Sequence, residues 1–141
     1  MPPIIWHGNF AFSLLICSEL TNINYRSHLR GKIDTLLVSE LNRDLKTFEA
    51  LVESTALDIH AFVAQSNTRE FGDSRIRAPM KNDYARDIVR ARGGLNDHFV
   101  VGQLSVTELR KFQSQNYAEH LFKPTPDGFR EDFDPNREVI P

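Results

Sequence analysis

A single thiol, Cys17, closes an apolar run over residues 10–17. A thiolate at such a place can attack an electrophilic carbon and carry a covalent intermediate that water then releases. A free thiol titrates near about 8.5, so it needs a neighbouring base or cation to react readily at neutral pH. Glu19 stands two residues on. The plainer readings are weighed beside these. A lone cysteine ending an apolar strand is more often a small hydrophobe, and a carboxylate at such a turn equally well accepts backbone N–H bonds. Asn42 and Asn67 end elements that lead toward the same rim, where turn formation is the commoner role of asparagine. The histidines at 7, 28, 60, 98 and 120 fall at no metal-ligand spacing and no second cysteine assists them, so neither a metal site nor a cofactor is read.

The elements that would position these groups follow from periodicity. In residues 10–17 the alternate set Ala11, Ser13, Leu15 and Cys17 is also small or apolar, as in a strand covered on both faces. A short helix over 25–29 is stopped by Gly31, and 35–38 reads as a second buried strand. Asp44 is placed to cap a helix whose apolar stripe is Leu45, Phe48, Val52, Ala56 and Ile59, with Glu49 and Glu53 on a face turned to water. Residues 61–65 give a third strand, with Phe62 and Val63 on opposite sides. The order strand, helix, strand, helix, strand predicts an α/β domain with parallel neighbours, Cys17 lying at low exposure on a central strand flanked by those of Leu37 and Val63. Gly72 permits a tight turn into a strand over 74–77, Ser74 shapes that turn, and strands over 88–91 and 99–104 follow. Thr107 caps a last helix in which Leu109, Phe112 and Asn116 share a face.

One domain suits 141 residues, and a hydrophobic fraction of 40% with ten Phe is globular rather than disordered. A net charge of −2 and a pI near 6.2 give no basic field for nucleic acid. The apolar run is too short to span a bilayer and lacks the flanks of a signal peptide, so a cytoplasmic protein is expected. The division read is a leader or truncated start over 1–9, a domain over 10–122, and a Pro-rich acidic tail over 123–141 that is mobile or laid across another surface.

Several segments, in order, resemble one family. Leu14-Leu15-Ile16-Cys17-Ser18-Glu19 looks like the nucleophile strand of carbon–nitrogen hydrolases of the nitrilase type. Ile33-Asp34-Thr35-Leu36-Leu37-Val38 resembles that family's next strand, and the helix over 48–59 leading into residues 61–67 resembles its long helix and following strand. Gly72-Asp73-Ser74-Arg75-Ile76 is similar to its Gly-x-Ser-x-Ile turn, and 99–104 to its last sheet strand. The wording of 39–44 and 73–94 further resembles nitrilase-type domains joined to reverse transcriptases in bacterial defence proteins.

The resemblance implies an α/β fold that is the C-terminal half of an αββα sandwich, with Cys17 as nucleophile on a small amide or nitrile. Glu19, Asn42 and Asn67 would support the nucleophile from behind or line the substrate rim, with Gly72 and Ser74 as turn formers. The family's Glu base and Lys lie upstream of its cysteine, and the sixteen residues before Cys17 hold neither type. Completion by another chain or a missing N-terminal half is therefore expected, with homo-oligomerisation as a further assembly. No membrane partner is expected, and nucleic acid would be met only through a reverse-transcriptase partner. The other reading is an inactive binding or structural module. Phe10, Phe12, Leu36 and Phe62 are expected on sheet faces awaiting the missing strands.

Overall fold

The computed structural model describes residues 1–115 and 121–138, so Asn116 lies outside the described residues. Six strands form one sheet in the order β1-β2-β3-β4-β5-β6. They are β1 (Ile5–His7), β2 (Phe10–Ile16), β3 (Thr35–Ser39), β4 (Phe62–Ser66), β5 (Ser74–Arg77) and β6 (Asp87–Ala91). Strands β2, β3 and β4 are parallel, while β1 and the pair β5 and β6 add antiparallel margins. Cys17's strand thus adjoins the Leu37 strand directly, with the Val63 strand one place further out. The two parallel crossovers are helices α1 (Ile23–Leu29) and α2 (Leu45–Asp58).

Period-two alternation decides what each face buries. Leu15, Leu36, Val38 and Val63 point into one core with Leu29 of α1 and Phe48, Val52 and Ala56 of α2. Full burial of each such side chain stabilises the fold by about 1.5–3 kcal/mol. Asp44 caps α2 by accepting the Thr47 N–H at 3.3 Å. Glu49 and Glu53 do not simply face water. They meet Arg90 at 3.1 Å and Arg77 at 3.1 Å across the α2–sheet boundary, because β5 and β6 carry arginines on that face.

On the opposite face, helix α3 (Val106–Gln115) and residues near Phe122 cover the N-terminal ends of the strands, where Phe62, Ala78, Leu109 and Phe122 make a second core. Two expectations change here. Leu36 lies under the helices and Phe62 under α3, so neither waits for further strands. The face left uncovered is instead the C-terminal end of the sheet, where Leu14 is 43% exposed, Ile16 59% and Leu37 36%. Phe10 and Phe12 stack 6.0 Å apart and are half-buried.

Residues 99–104 form no strand, since no neighbouring strand pairs with them. Thr107 lies inside the first turn of α3 rather than at its cap. Residues 1–9 contribute β1, and Ser13 Oγ donates to the Pro3 carbonyl at 2.7 Å. Residues 121–138 lie back on the domain. Phe122 bridges to Met80, and α4 (Phe129–Asp132) buries Phe129. Arg137 then reaches Asp34 beneath the sheet.

Candidate functional site

Cys17 is the residue immediately after β2 and opens a 3₁₀ turn over Cys17–Thr21. It is half-buried, not fully shielded, and it is not in the strand itself. Its φ of +48° lies in the left-handed region, which costs a non-glycine residue about 1–3 kcal/mol and persists only where its surroundings impose it. Here they do. The Ile16 N–H donates to Glu19 Oε2 at 2.8 Å, Thr21 Oγ donates to the Ser18 carbonyl at 2.7 Å, and Leu20 is driven fully into the core. Asn22 next caps α1, accepting the Asn24 N–H at 3.0 Å. The thiol is thereby held at the C-terminal edge of the parallel strands, the end where α/β folds place reactive groups. Glu19 anchors that turn through the backbone.

The rim across from β2 is built by asparagines acting as crosslinks. Asn67 Nδ2 donates to the carbonyls of Asn42 and Gly72, both at 2.9 Å, and its Oδ1 accepts the Asn42 N–H at 3.0 Å. One side chain therefore ties the loop after β3 to the loop after β4. Asn42 Oδ1 accepts the Asp44 N–H at 2.9 Å, closing the turn that starts α2. Ser74 Oγ accepts the Asn67 N–H at 3.0 Å. At Gly72, φ is +80° and a Cβ would meet the Gly93 nitrogen at 2.5 Å, so a side chain is excluded by both strain and space.

Sequence reasoning missed the polar relay beneath this rim. Gln65 Nε2 donates to Glu40 Oε2 at 2.9 Å, and Arg75 Nε donates to Gln65 Oε1 at 3.0 Å. Burial pushes the Glu40 carboxyl above its ordinary range, against the Gln65 hydrogen bond and the Arg75 charge. Only the neighbouring ion pairs left a signal in the sequence: Arg75 and Arg77, two apart on a strand, face Glu49 and Glu53, four apart on a helix. Asp73 is held below its ordinary range. Burial raises it, and the paired hydrogen bonds of Arg90 at 2.6 and 3.0 Å outweigh that.

A cavity of about 560 Å³ opens over the uncovered sheet end. Its floor is Leu14, Leu37, Ala64 and Ile76, and its rim includes Asn67, Gly72 and Ser74. Cys17, Glu19 and Asn42 are not among its lining residues, so the structure brings the rim residues to the cavity and leaves the thiol beside it. Among the described residues no group of three or more His, Cys, Asp or Glu is placed to hold a metal ion. Among them, too, no helix is long and apolar enough to cross a membrane.

No protein-family model and no curated protein sequence matches the chain. Solved structures do. A variant of the Nesterenkonia sp. AN1 amidase from the nitrilase superfamily superposes with TM-score 0.57 at 17% identity, over 78% of this chain and 44% of that one. A CN-hydrolase superfamily protein from Xanthomonas campestris, with an arsenic adduct in its active site, gives TM-score 0.60 at 11% identity, over 87% of this chain and 52% of that one. A second form of the Nesterenkonia amidase, with acrylamide added to its active-site cysteine, gives TM-score 0.52 at 19% identity, over 66% of this chain and 40% of that one. The chain thus has the mixed α/β fold of nitrilase-superfamily amidases, and it spans about half of their length.

Proposed function

We propose that the chain is part of a carbon–nitrogen hydrolase in which Cys17 is the nucleophile. The observation that carries this reading is the left-handed backbone of Cys17, imposed directly after a parallel strand in a fold shared with amidases. In the proposed step the Cys17 thiolate attacks an amide carbon, the Sγ–C bond forms, and the C–N bond breaks with the amine leaving protonated. Water then cleaves the thioester, giving the acid and returning the thiol. A nitrile would reach the same thioester after taking up one water and releasing ammonia.

This chemistry needs a base for the thiol and a cation for the developing oxyanion. Glu19 is engaged with the Ile16 N–H, and Glu40 is committed to Gln65. The base and the cation are therefore assigned to residues outside this sequence, on an N-terminal half or on another chain, that pack over Leu14, Ile16 and Leu37. Quenching the completed protein during amide turnover and weighing its peptides tests the reading. A thioester on the Cys17 peptide is expected, and turnover with no covalent species there, persisting in Cys17→Ala, overturns it.

A second reading is favoured by the engagement of Glu19: a catalytically silent module in which Cys17 only terminates the strand. The likeness of residues 39–44 and 73–94 to reverse-transcriptase-linked domains would place that module beside a reverse transcriptase.

A further inference from the structure

Helix α3 and the C-terminal segment meet at one fully buried ring, His60, beside the equally buried Gln113 and Arg137. Phe112 of α3 stacks on the ring at 5.6 Å, and Phe129 of α4 meets it in a T-shaped contact at 5.5 Å. His60 Nε2 lies 2.7 Å from the Lys123 carbonyl. Gln113 Nε2 donates to the His60 carbonyl at 2.6 Å and lies 3.1 Å from the ring Nδ1. Arg137 Nη2 donates to Gln113 Oε1 at 2.9 Å.

These bonds leave one arrangement of protons. A guanidinium only donates and a carbonyl only accepts, so Arg137 and the His60 carbonyl together fix which end of the Gln113 amide is oxygen. The second N–H of Gln113 then points at Nδ1, which must accept. The ring's own proton sits on Nε2, where the Lys123 carbonyl receives it. A further proton, on Nδ1, sets donor against donor. Gln113 cannot turn over to relieve this, because its nitrogen would face the Arg137 guanidinium and its oxygen the His60 carbonyl.

The surroundings do not offset such a charge. Arg137 acts on the ring with the same sign, and Asp34, the buried carboxylate beyond it, is shared between Arg110 and Arg137. Lys123 and Arg130 are exposed, and the Asp58 carboxylate, two residues before the ring, is 62% exposed. The main core of Leu15, Leu36, Val52 and Val63 lies across the sheet and, among the described residues, takes none from α3 or the tail.

We propose that His60, Gln113 and Arg137 form a proton-operated latch: a proton on His60 Nδ1 opens the seam between α3 and the C-terminal segment while the sheet stays folded. The Asp34 clamp then keeps the segment tethered. The device is independent of Cys17.

Hydrogen exchange on the full chain, read by mass spectrometry and corrected for the intrinsic rate at each pH, tests the proposal. With an open value of about 6.5 and a latched value of about 4, the opening equilibrium rises about 100-fold between about pH 7.5 and about pH 4. Amides of residues 112–115 and 129–137 are expected to lose protection by that factor, while those of β3 and β4 keep theirs. His60→Gln, which takes up no proton, and Gln113→Glu, which gives Nδ1–H an acceptor, are expected to lack this acid response. Nitrogen shifts of the ring should place the neutral proton on Nε2 and show His60 titrating at higher pH in Gln113→Glu than in the parent. That titration decides the matter where a variant is already open at neutral pH. A neutral ring protonated on Nδ1, equal loss of protection in the sheet, an undiminished acid response in either variant, or an unchanged titration in Gln113→Glu overturns the latch.

Discussion

Arg137 Nη2 donates to Asp34 Oδ1 at 2.8 Å across 103 residues of chain, and both side chains are fully buried. Arg110 of α3 approaches the other oxygen, Oδ2, at 2.5 Å, and Asp34 Oδ2 also accepts the Ala11 N–H at 2.8 Å. One carboxylate at the start of β3 therefore fastens β2, α3 and the tail together. Burial raises the Asp34 carboxyl, but the Arg110 hydrogen bonds and the Arg137 charge hold it below its ordinary range. Removing one member of such a buried set strands the others. Arg137→Ala or Asp34→Ala is expected to lose about 3–5 kcal/mol in urea unfolding. A loss under about 1 kcal/mol, the range of exposed pairs, would show that the tail is not held this way.

His60 gives the fold a second pH dependence. It is buried at φ +53°, its Nε2 lies 2.7 Å from the Lys123 carbonyl, and its Nδ1 lies 3.1 Å from Gln113 Nε2. Burial lowers its pKa from 6.5 to about 4, so the folded protein keeps it neutral. The unfolded chain binds the proton first as pH falls, so this stabilisation is complete above about 6.5 and is lost on the way down to about 4. The window is worth about 3 kcal/mol. Urea midpoints should fall steadily across it for the parent and change little for His60→Gln. Parallel pH profiles for the two proteins would remove His60 from the account of acid sensitivity. The Asp34 contribution has the same sign but is lost at lower pH, because its arginine partners hold the folded carboxyl below the ordinary carboxylate range.

The Gly72 turn offers a local test of the rim. Gly72→Ala forces a left-handed alanine whose Cβ meets the Gly93 nitrogen at 2.5 Å and the Arg92 carbonyl oxygen at 2.7 Å. A destabilisation of at least about 1–3 kcal/mol is expected from the backbone alone, with the Asn67 crosslink displaced. Thermal unfolding reads the first effect and amide shifts of Asn42 and Thr68 the second. A neutral substitution would mean that the two loops are not packed backbone to backbone.

Much of this architecture was legible from periodicity. The strands near residues 10–16, 35–39, 62–66 and 74–77 and the Asp44-capped helix stand where periodicity sets them, but residues 10–16 are covered on one face only, leaving Leu14 and Ile16 exposed, and 74–77 buries Arg75 and Arg77. What escaped depends on partners distant in sequence. Leu36 and Leu37 are equally apolar, and only the register with Leu14 and Ala64 tells which is left uncovered. The tail looked too polar to fold alone. It is held by Arg137 on Asp34, a pairing no local window contains. Residues 99–104 have strand chemistry without a strand's neighbour, which is why pattern and structure part there. At the candidate site, the turn-forming places of Gly72 and Ser74 and the Glu19 backbone anchor were readable, whereas the half-buried 3₁₀ turn at Cys17 and the Glu40–Gln65–Arg75 relay were not.

Ammonia release from a short aliphatic amide, measured for the isolated chain beside its Cys17→Ala variant, bears most directly on the proposal that Cys17 works only with groups from outside this sequence, on an N-terminal half or another chain. Neither protein alone is expected to release ammonia above background, because groups acting as a unit lose most of their effect when one is missing. Completing the chain with the N-terminal half or partner chain that covers Leu14, Ile16 and Leu37 is expected to start release from the parent and not from the Cys17→Ala variant. Release by the isolated chain that vanishes in Cys17→Ala, or release by the complex that survives that substitution, would contradict it.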